Sequence, residues 1–244
     1  MSSEKLQKFL ATLGYGSRRE IETWISAGRV VVNGEPAHLG QRVSAVDQIQ
    51  LDGKKVGEKP AAAARVIIYN KPAGVICTRS DPEGRPTIFA DLPPLRQGRW
   101  ISVGRLDVQT TGLLLLTNDG ELARHLELPA TGWTRRYRVR VYGYVTQKRL
   151  DKLAKGIVVD GVVYGEIQAK LDSTKGHNSW VTMSFKEGKN REIRRVMEHL
   201  DLTVNRLIRT SYGPFMLGSL REGDIEEVTP KQLGELIGPK WVKD

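Results

Sequence analysis

Gly104-Arg105-Leu106-Asp107-Val108-Gln109-Thr110-Thr111-Gly112-Leu113-Leu114-Leu115-Leu116-Thr117-Asn118-Asp119-Gly120 is the stretch on which the reading of this chain turns. A short apolar run bounded by turn residues reads as a buried strand, so Leu113–Thr117 is expected to cross a core. Asp107 sits in the Gly-bounded loop just before it. A carboxylate displayed at the mouth of a buried strand can have its charge and direction fixed by burial and a nearby cation. A carboxylate in such a loop can equally serve the turn itself. Asp119 has that structural reading too, as the turn or cap before Gly120-Glu121-Leu122.

Outward from this stretch, strands are expected at Val66–Tyr69, Tyr137–Tyr142, Glu166–Leu171, Trp180–Phe185 and Val204–Thr210. Helices are expected at Gly120–Leu128, Gln147–Lys155, Asn190–Leu200 and Pro230–Ile237, the last with Thr229 as cap, Pro230 at N1 and Gln232 at N3. The mixture reads as α+β. Before it, residues 4–27 read as two short helices, the second opened by the Ser17-Arg18-Arg19-Glu20 capping box. Short strands follow through the Asn33-Gly34 and Asp52-Gly53 turns. Gly57-Glu58-Lys59-Pro60-Ala61-Ala62-Ala63-Ala64 has no large apolar residue and reads as a linker. The expected division is a small domain over 1–58, a linker over 59–64 and a larger domain over 65–244.

The chain has 244 residues and a formal net charge of +10, which favours a phosphate-rich partner, above all nucleic acid. Hydrophobic residues make up 39% and charged residues 27%, which argues against wholesale disorder. No apolar run is long enough for a membrane span, no amphipathic basic helix stands out, and the polar N-terminus has no signal core. The single cysteine, Cys77, excludes an internal disulfide framework. A cytoplasmic protein is expected. His38, His125, His177 and His199 are scattered, so no metal site is expected, and Gly188-Lys189 lacks the rest of a P-loop. Cys77, within Val75-Ile76-Cys77, reads as a small buried hydrophobe rather than a nucleophile. Lys5, Lys8, Arg18, Arg19 and Arg29 fall on or beside the first two helices, either as a solvated surface or as a phosphate-binding face. Arg135, Arg136, Arg138, Arg140, Lys148 and Arg149 form a second basic stretch with no intervening acid. Along a strand, Arg136, Arg138 and Arg140 share one face, opposite Tyr137, Val139 and Val141.

Lys5-Leu6-x-Lys8-x-Leu10, Gly16-Ser17-Arg18-Arg19-Glu20 and Gly28-Arg29-Val30-Val31-Val32-Asn33-Gly34 together resemble the S4 RNA-binding domain. That resemblance implies binding of structured RNA by shape and phosphates, through Lys5, Lys8, Arg18, Arg19 and Arg29. The quoted stretch around Asp107 resembles the catalytic motif of the RsuA/RluB group of pseudouridine synthases. So do Lys71-Pro72-Ala73-Gly74-Val75 and Glu187-Gly188-Lys189-Asn190-Arg191-Glu192-Ile193-Arg194-Arg195-Val196-Met197. Ser17–Glu22, Cys77–Thr87 and Arg206-Leu207-Ile208-Arg209 look most like the RluB subgroup, which acts on 23S ribosomal RNA.

The resemblance implies a catalytic domain with a central, mostly antiparallel sheet that isomerises uridine to pseudouridine without a cofactor or metal. It implies Asp107 as the carboxylate that drives release and reattachment of uracil. Arg194 maps to its basic partner, Tyr137 to the aromatic packed on the target base, and Arg105 to the residue holding the uridine out of its stack. Arg136 and Arg138 are expected to grip RNA. Thr111 stands where many members have Ser, and Glu192 where many have Gln; Glu192 either opposes ionisation of Asp107 or pairs with Arg191 or Arg195. The expected partner is 23S rRNA or a large-subunit precursor, with no membrane and a monomeric protein. The rival reading is a non-catalytic RNA-binding or ribosome-assembly protein, and Asp107 in its motif discriminates between them.

Overall fold

The computed structural model describes residues 3–57, 63–79 and 81–241. Of the expected linker at 59–64, only Ala63 and Ala64 fall among them. The backbone of the larger part is one sheet, in the order Gln168–Lys175, Asn178–Phe185, Arg135–Tyr142, Thr203–Tyr212, Thr111–Thr117, Val66–Lys71, Ile225–Val228. Short strands Ile101–Val103 and Phe215–Met216 pair at its margins with Thr111–Thr117 and Thr203–Tyr212. Neighbours run antiparallel except where Ile208 and Arg209 meet Thr111 and Gly112 in parallel. The sheet is therefore mixed and mostly antiparallel, as the resemblance implied.

Helices cover this sheet unequally. Helix Glu192–His199 packs Ile193, Val196 and Met197 on one face, against Tyr137, Val139, Val141, Val181 and Met183. On the other face, helices Gly120–Glu127 and Pro230–Ile237 set Leu122, Ala123, Leu126 and Leu233 over Leu113, Leu115, Val66 and Ile68. Every residue of Thr111–Thr117 is consequently buried, whereas Arg135–Tyr142 alternates exposed and buried from Arg136 onward. Asp119 caps the first of these two helices, its carboxylate accepting from Glu121 N at 2.8 Å and Leu122 N at 3.0 Å. Thr229 and Gln232 form the expected capping box on the second. The segment expected as one helix, Gln147–Lys155, is a short α-helix, Gln147–Asp151, followed by a 3-10 turn, Lys152–Lys155. Gly156, at φ 77, then ends it in a backbone region that favours glycine.

The N-terminal part holds its own core. Leu6 and Leu10 from helix Leu6–Thr12 meet Ile21 and Ile25 from helix Arg18–Ser26, and both pack on Val30, Val32 and Ile49 of a small antiparallel sheet. Ser17 and Glu20 make the reciprocal bonds of the capping box, at 3.1 and 2.7 Å. Among the described residues no helix is long and apolar enough to cross a membrane.

Candidate active site

Asp107 lies in the loop between Ile101–Val103 and Thr111–Thr117, half-buried, with buried Leu106 anchoring it from below. The loop closes on itself through Thr110 N donating to Asp107 O at 3.0 Å, and it is tied across by Gly74 N donating to Val108 O at 2.8 Å. Beneath it lies Lys71, at the end of Val66–Lys71 and 0% exposed. Its ammonium donates to the carbonyls of Pro72 at 2.9 Å, Thr110 at 3.0 Å and Val108 at 3.4 Å. Burial pushes the Lys71 pKa down, and the nearby Cys77 and Asp107 push it back up. A cation held by three carbonyls thus braces the backbone that presents Asp107.

Two glycines and an arginine lock the strand that follows. Gly112 has φ 102, and a Cβ there would lie 2.7 Å from Arg209 N and closer still to the Arg209 carbonyl oxygen. Only glycine lets the two strands approach so closely. Arg209, 3% exposed, donates from Nε to Leu113 O at 2.7 Å and lies over the Tyr212 ring at 5.1 Å; its Nη2 is buried without a partner. At the start of the loop Gly104, φ 68, donates its N–H to the Glu127 carboxylate at 2.5 Å.

Asp107, Arg105, Tyr137 and Arg194 all line one cleft of about 490 Å³. Tyr137 forms its wall, 9% exposed and stacked on Phe185 with ring centroids 5.4 Å apart and planes 4° from parallel. Arg194 enters from helix Glu192–His199, half-buried, and donates from Nη1 to Val204 O at 3.1 Å. Burial lowers its pKa, Arg191 lowers it further, and Asp107 raises it. The expected contact between Arg194 and Asp107 is electrostatic rather than a bonded ion pair: none of the ion pairs among the described residues joins them, and the bonded partner of the guanidinium is the Val204 carbonyl. Arg194 Nε is left buried without a partner.

Glu192, also in the cleft wall, pairs with neither Arg191 nor Arg195. One carboxylate oxygen accepts from Lys189 N at 3.1 Å, and the other is buried without a partner. Desolvation raises its pKa to about 7; the Lys189 N–H opposes that shift, and Glu187 reinforces it. Arg191, just before the helix, is held in the left-handed region at φ 50, a conformation non-glycine residues seldom adopt, at the rim of the cleft.

The remaining expected RNA-binding residues lie elsewhere. Arg136 and Arg138 point to the sheet face opposite Tyr137 and are exposed. Lys5, Arg18 and Arg19 are exposed on the N-terminal part. Lys8 and Arg29 are not free cations: Lys8 meets Glu4 at 3.1 Å and Glu121 at 3.3 Å, and Arg29 grips Asp52 with two bonds of 2.8 and 2.6 Å while lying over Trp24. Their charge is locally offset. Among the described residues, no cluster of His, Cys, Asp and Glu could hold a metal. Cys77 is half-buried against the core, and burial pushes its thiol pKa up, as suits a packed residue. Sequence reasoning quoted Lys71 and Arg209 without assigning either a task. Their signal was a charged residue inside or ending a run that is otherwise strand.

The family model for RNA pseudouridylate synthase matches residues 65–199, and the S4 domain model matches residues 4–49. The chain belongs to the RNA pseudouridylate synthase family. It is 49% identical over 247 residues to "Ribosomal large subunit pseudouridine synthase B" of Pseudomonas aeruginosa, an alignment covering 98% of this chain and 64% of that protein. The chain thus spans less than two thirds of that relative's length. The protein of the same name from Escherichia coli strain K12 is 48% identical over 243 residues, covering 96% of this chain and 84% of that one. A crystal structure of a pseudouridylate synthase is similar at a TM-score of 0.66 and 28% identity, over 96% of this chain and 99% of its own. In this pseudouridylate synthase family member, the cleft around Asp107 falls within the segment matched by the family model, apart from Leu207, Arg209 and Tyr212, which lie beyond it.

Proposed function

We propose that this chain isomerises uridine to pseudouridine in 23S ribosomal RNA, with Asp107 as the carboxylate that drives release and reattachment of the uracil. The observation that carries the reading is the convergence of Asp107, Tyr137, Arg194 and Arg105 on one cleft in a member of this family. The relatives named for the large ribosomal subunit support the choice of RNA. Uridine and pseudouridine are isomers: the N1–C1′ bond breaks, a C5–C1′ bond forms, and the proton lost from C5 is balanced by one gained at N1. No atom is added or removed, so a carboxylate, a proton relay and a way to hold the base suffice. In this reading Tyr137 packs on the uracil, its ring already fixed by Phe185. Arg194 adds positive potential beside the carboxylate, and exposed Arg105 holds the nucleotide out of its stack.

The division of labour places RNA grip in residues 1–58 and chemistry in 65–244, with the chain acting as a monomer in the cytoplasm. The separate core of the N-terminal part and the assembly of the cleft from one chain support this. Mapping pseudouridine in 23S rRNA from cells lacking the protein tests it. The expected result is loss of pseudouridine at a defined position and its return when the wild-type protein is restored. Identical maps with and without the protein would overturn it.

A further inference from the structure

The sheet face opposite the Asp107 cleft is covered by helices over only half its width. Helices Gly120–Glu127 and Pro230–Ile237 lie over the leucine strand and Val66–Lys71. Among the described residues, the half formed by Arg135–Tyr142, Asn178–Phe185 and Gln168–Lys175 carries no helix there; it presents exposed side chains from the first and third of these strands and half-buried ones, Trp180, Thr182 and Ser184, from the second. Cross-strand register sets Arg138 beside Thr182, with Lys170 on the far side of Thr182, and Arg140 beside Trp180 on one side and Arg206 on the other. Like charges directly opposite one another destabilise a sheet unless something neutralises them. Arg206 is neutralised by Glu222 at 2.7 Å, but no ion pair among the described residues engages Arg136, Arg138, Arg140 or Lys170. Asp172, in the same region, accepts from the Thr182 hydroxyl at 2.7 Å. Arg138 lies over the Trp180 ring at 4.5 Å, so its guanidinium is held against a flat surface rather than swinging in solvent. A groove of about 380 Å³ runs alongside, lined by Arg136, Lys170, Asp172, Thr182 and Ser184 among others.

We propose that this bare half-sheet is a second RNA-binding surface, which holds the phosphate backbone of a segment of the substrate RNA away from the target uridine. Charge complementarity selects the occupant. Arginines on alternate residues of a strand stand ~7 Å apart, a spacing that lets successive side chains reach successive phosphates of one strand. The Ser184 hydroxyl adds a neutral polar group, whereas that of Thr182 is committed to Asp172, and the lack of exposed apolar residues in the groove disfavours a protein partner. Because the surface faces away from Asp107, the RNA it holds is not the segment in the cleft. The enzyme then grips its substrate from two sides of one sheet, which raises effective concentration and restricts which RNA shapes can be modified. This rests on the proposed RNA substrate.

The test replaces Arg136, Arg138 and Arg140 together with glutamine and measures binding of transcribed 23S rRNA fragments as a function of salt, whether or not the wild-type protein modifies them. The expected result is at least a tenfold loss of affinity, with the log–log salt slope reduced in magnitude by ~2 to 3, since each phosphate contact contributes ~0.7 to 0.9. A stem-loop trimmed to the target uridine should lose little. A control that replaces exposed Lys148, Lys152 and Lys155 with glutamine removes the same charge from a helix and turn outside this face and should leave the slope near wild type. An unchanged slope in the arginine variant, or an equal fall in the control, would overturn the proposal. A wild-type protein that binds with the expected slope but forms no pseudouridine would instead defeat the proposed function and leave this surface standing.

Discussion

The leucine strand Thr111–Thr117 and the arginine strand Arg135–Tyr142 lie in one sheet, separated only by Thr203–Tyr212, and they live under different constraints. The leucine strand is packed on both faces, so neither Leu114, facing Tyr69 and Ile67, nor Leu113, facing Leu122 and Leu126, has freedom to move. The arginine strand is packed on one face only. Burial on both sides makes the first a rigid post for the Asp107 loop, since close-packed side chains transmit little slack. One-sided burial lets the second place Tyr137 in the cleft while its alternate residues remain available to a partner. In the proposed reading, positioning and grip are separated by which side of the sheet is covered.

The difference can be broken first at its most constrained point. Gly112→Ala should destabilise the fold by about 4 kcal/mol or more, because it adds left-handed backbone strain to a clash with Arg209. Urea unfolding measures it; a loss under about 1 kcal/mol would mean that the strands can part without cost. Leu114→Ala, at a site 0% exposed, should cost about 2–5 kcal/mol by the same measurement.

An intermediate effect belongs to the cleft wall between the two strands. Glu192 has its pKa raised from 4.5 to about 7, so the fold favours the protonated form. That advantage is fully present below about pH 4.5 and is lost as pH rises through about 7. Glu192→Gln, neutral at every pH, should therefore match the wild type in stability near pH 4.5 and exceed it by about 1–3 kcal/mol at pH 8. Thermal melts of both proteins across that range check the sign, and a variant less stable at pH 8 would contradict it. The smallest change in stability is expected on the bare face. Arg138→Gln should shift the folding free energy by no more than about 0.5 kcal/mol, because its side chain is exposed and touches chiefly Trp180. A loss comparable with Leu114→Ala would erase the contrast between the two strands.

Much of this was legible in the residues. The alternation of Arg136, Arg138 and Arg140 with Tyr137, Val139 and Val141 gave the orientation of the arginine strand, because side chains in a strand point to opposite faces in turn. Capping signals at Ser17, Asp119 and Thr229 marked helix starts correctly, since each oxygen answers a local backbone N–H. Long-range electrostatics were harder to read. Nothing local announces that Lys71 would be buried under carbonyls from residues 108 and 110, or that Glu121 and Asp52 would engage Lys8 and Arg29. Arg194 lines the same cleft as Asp107, yet its hydrogen bond to Val204 O depends on where the following strand begins, which spacing alone does not specify.

In the proposed reading Asp107, braced on the leucine strand, performs the chemistry, and Asp107→Asn removes it. The amide is nearly isosteric with the carboxylate but cannot act as nucleophile or base. Single-turnover pseudouridine formation at saturating enzyme should fall to background, while affinity for the same RNA stays within about threefold of wild type, about 0.7 kcal/mol. Pseudouridine formed by the variant at a rate near wild type would mean that another group performs the chemistry.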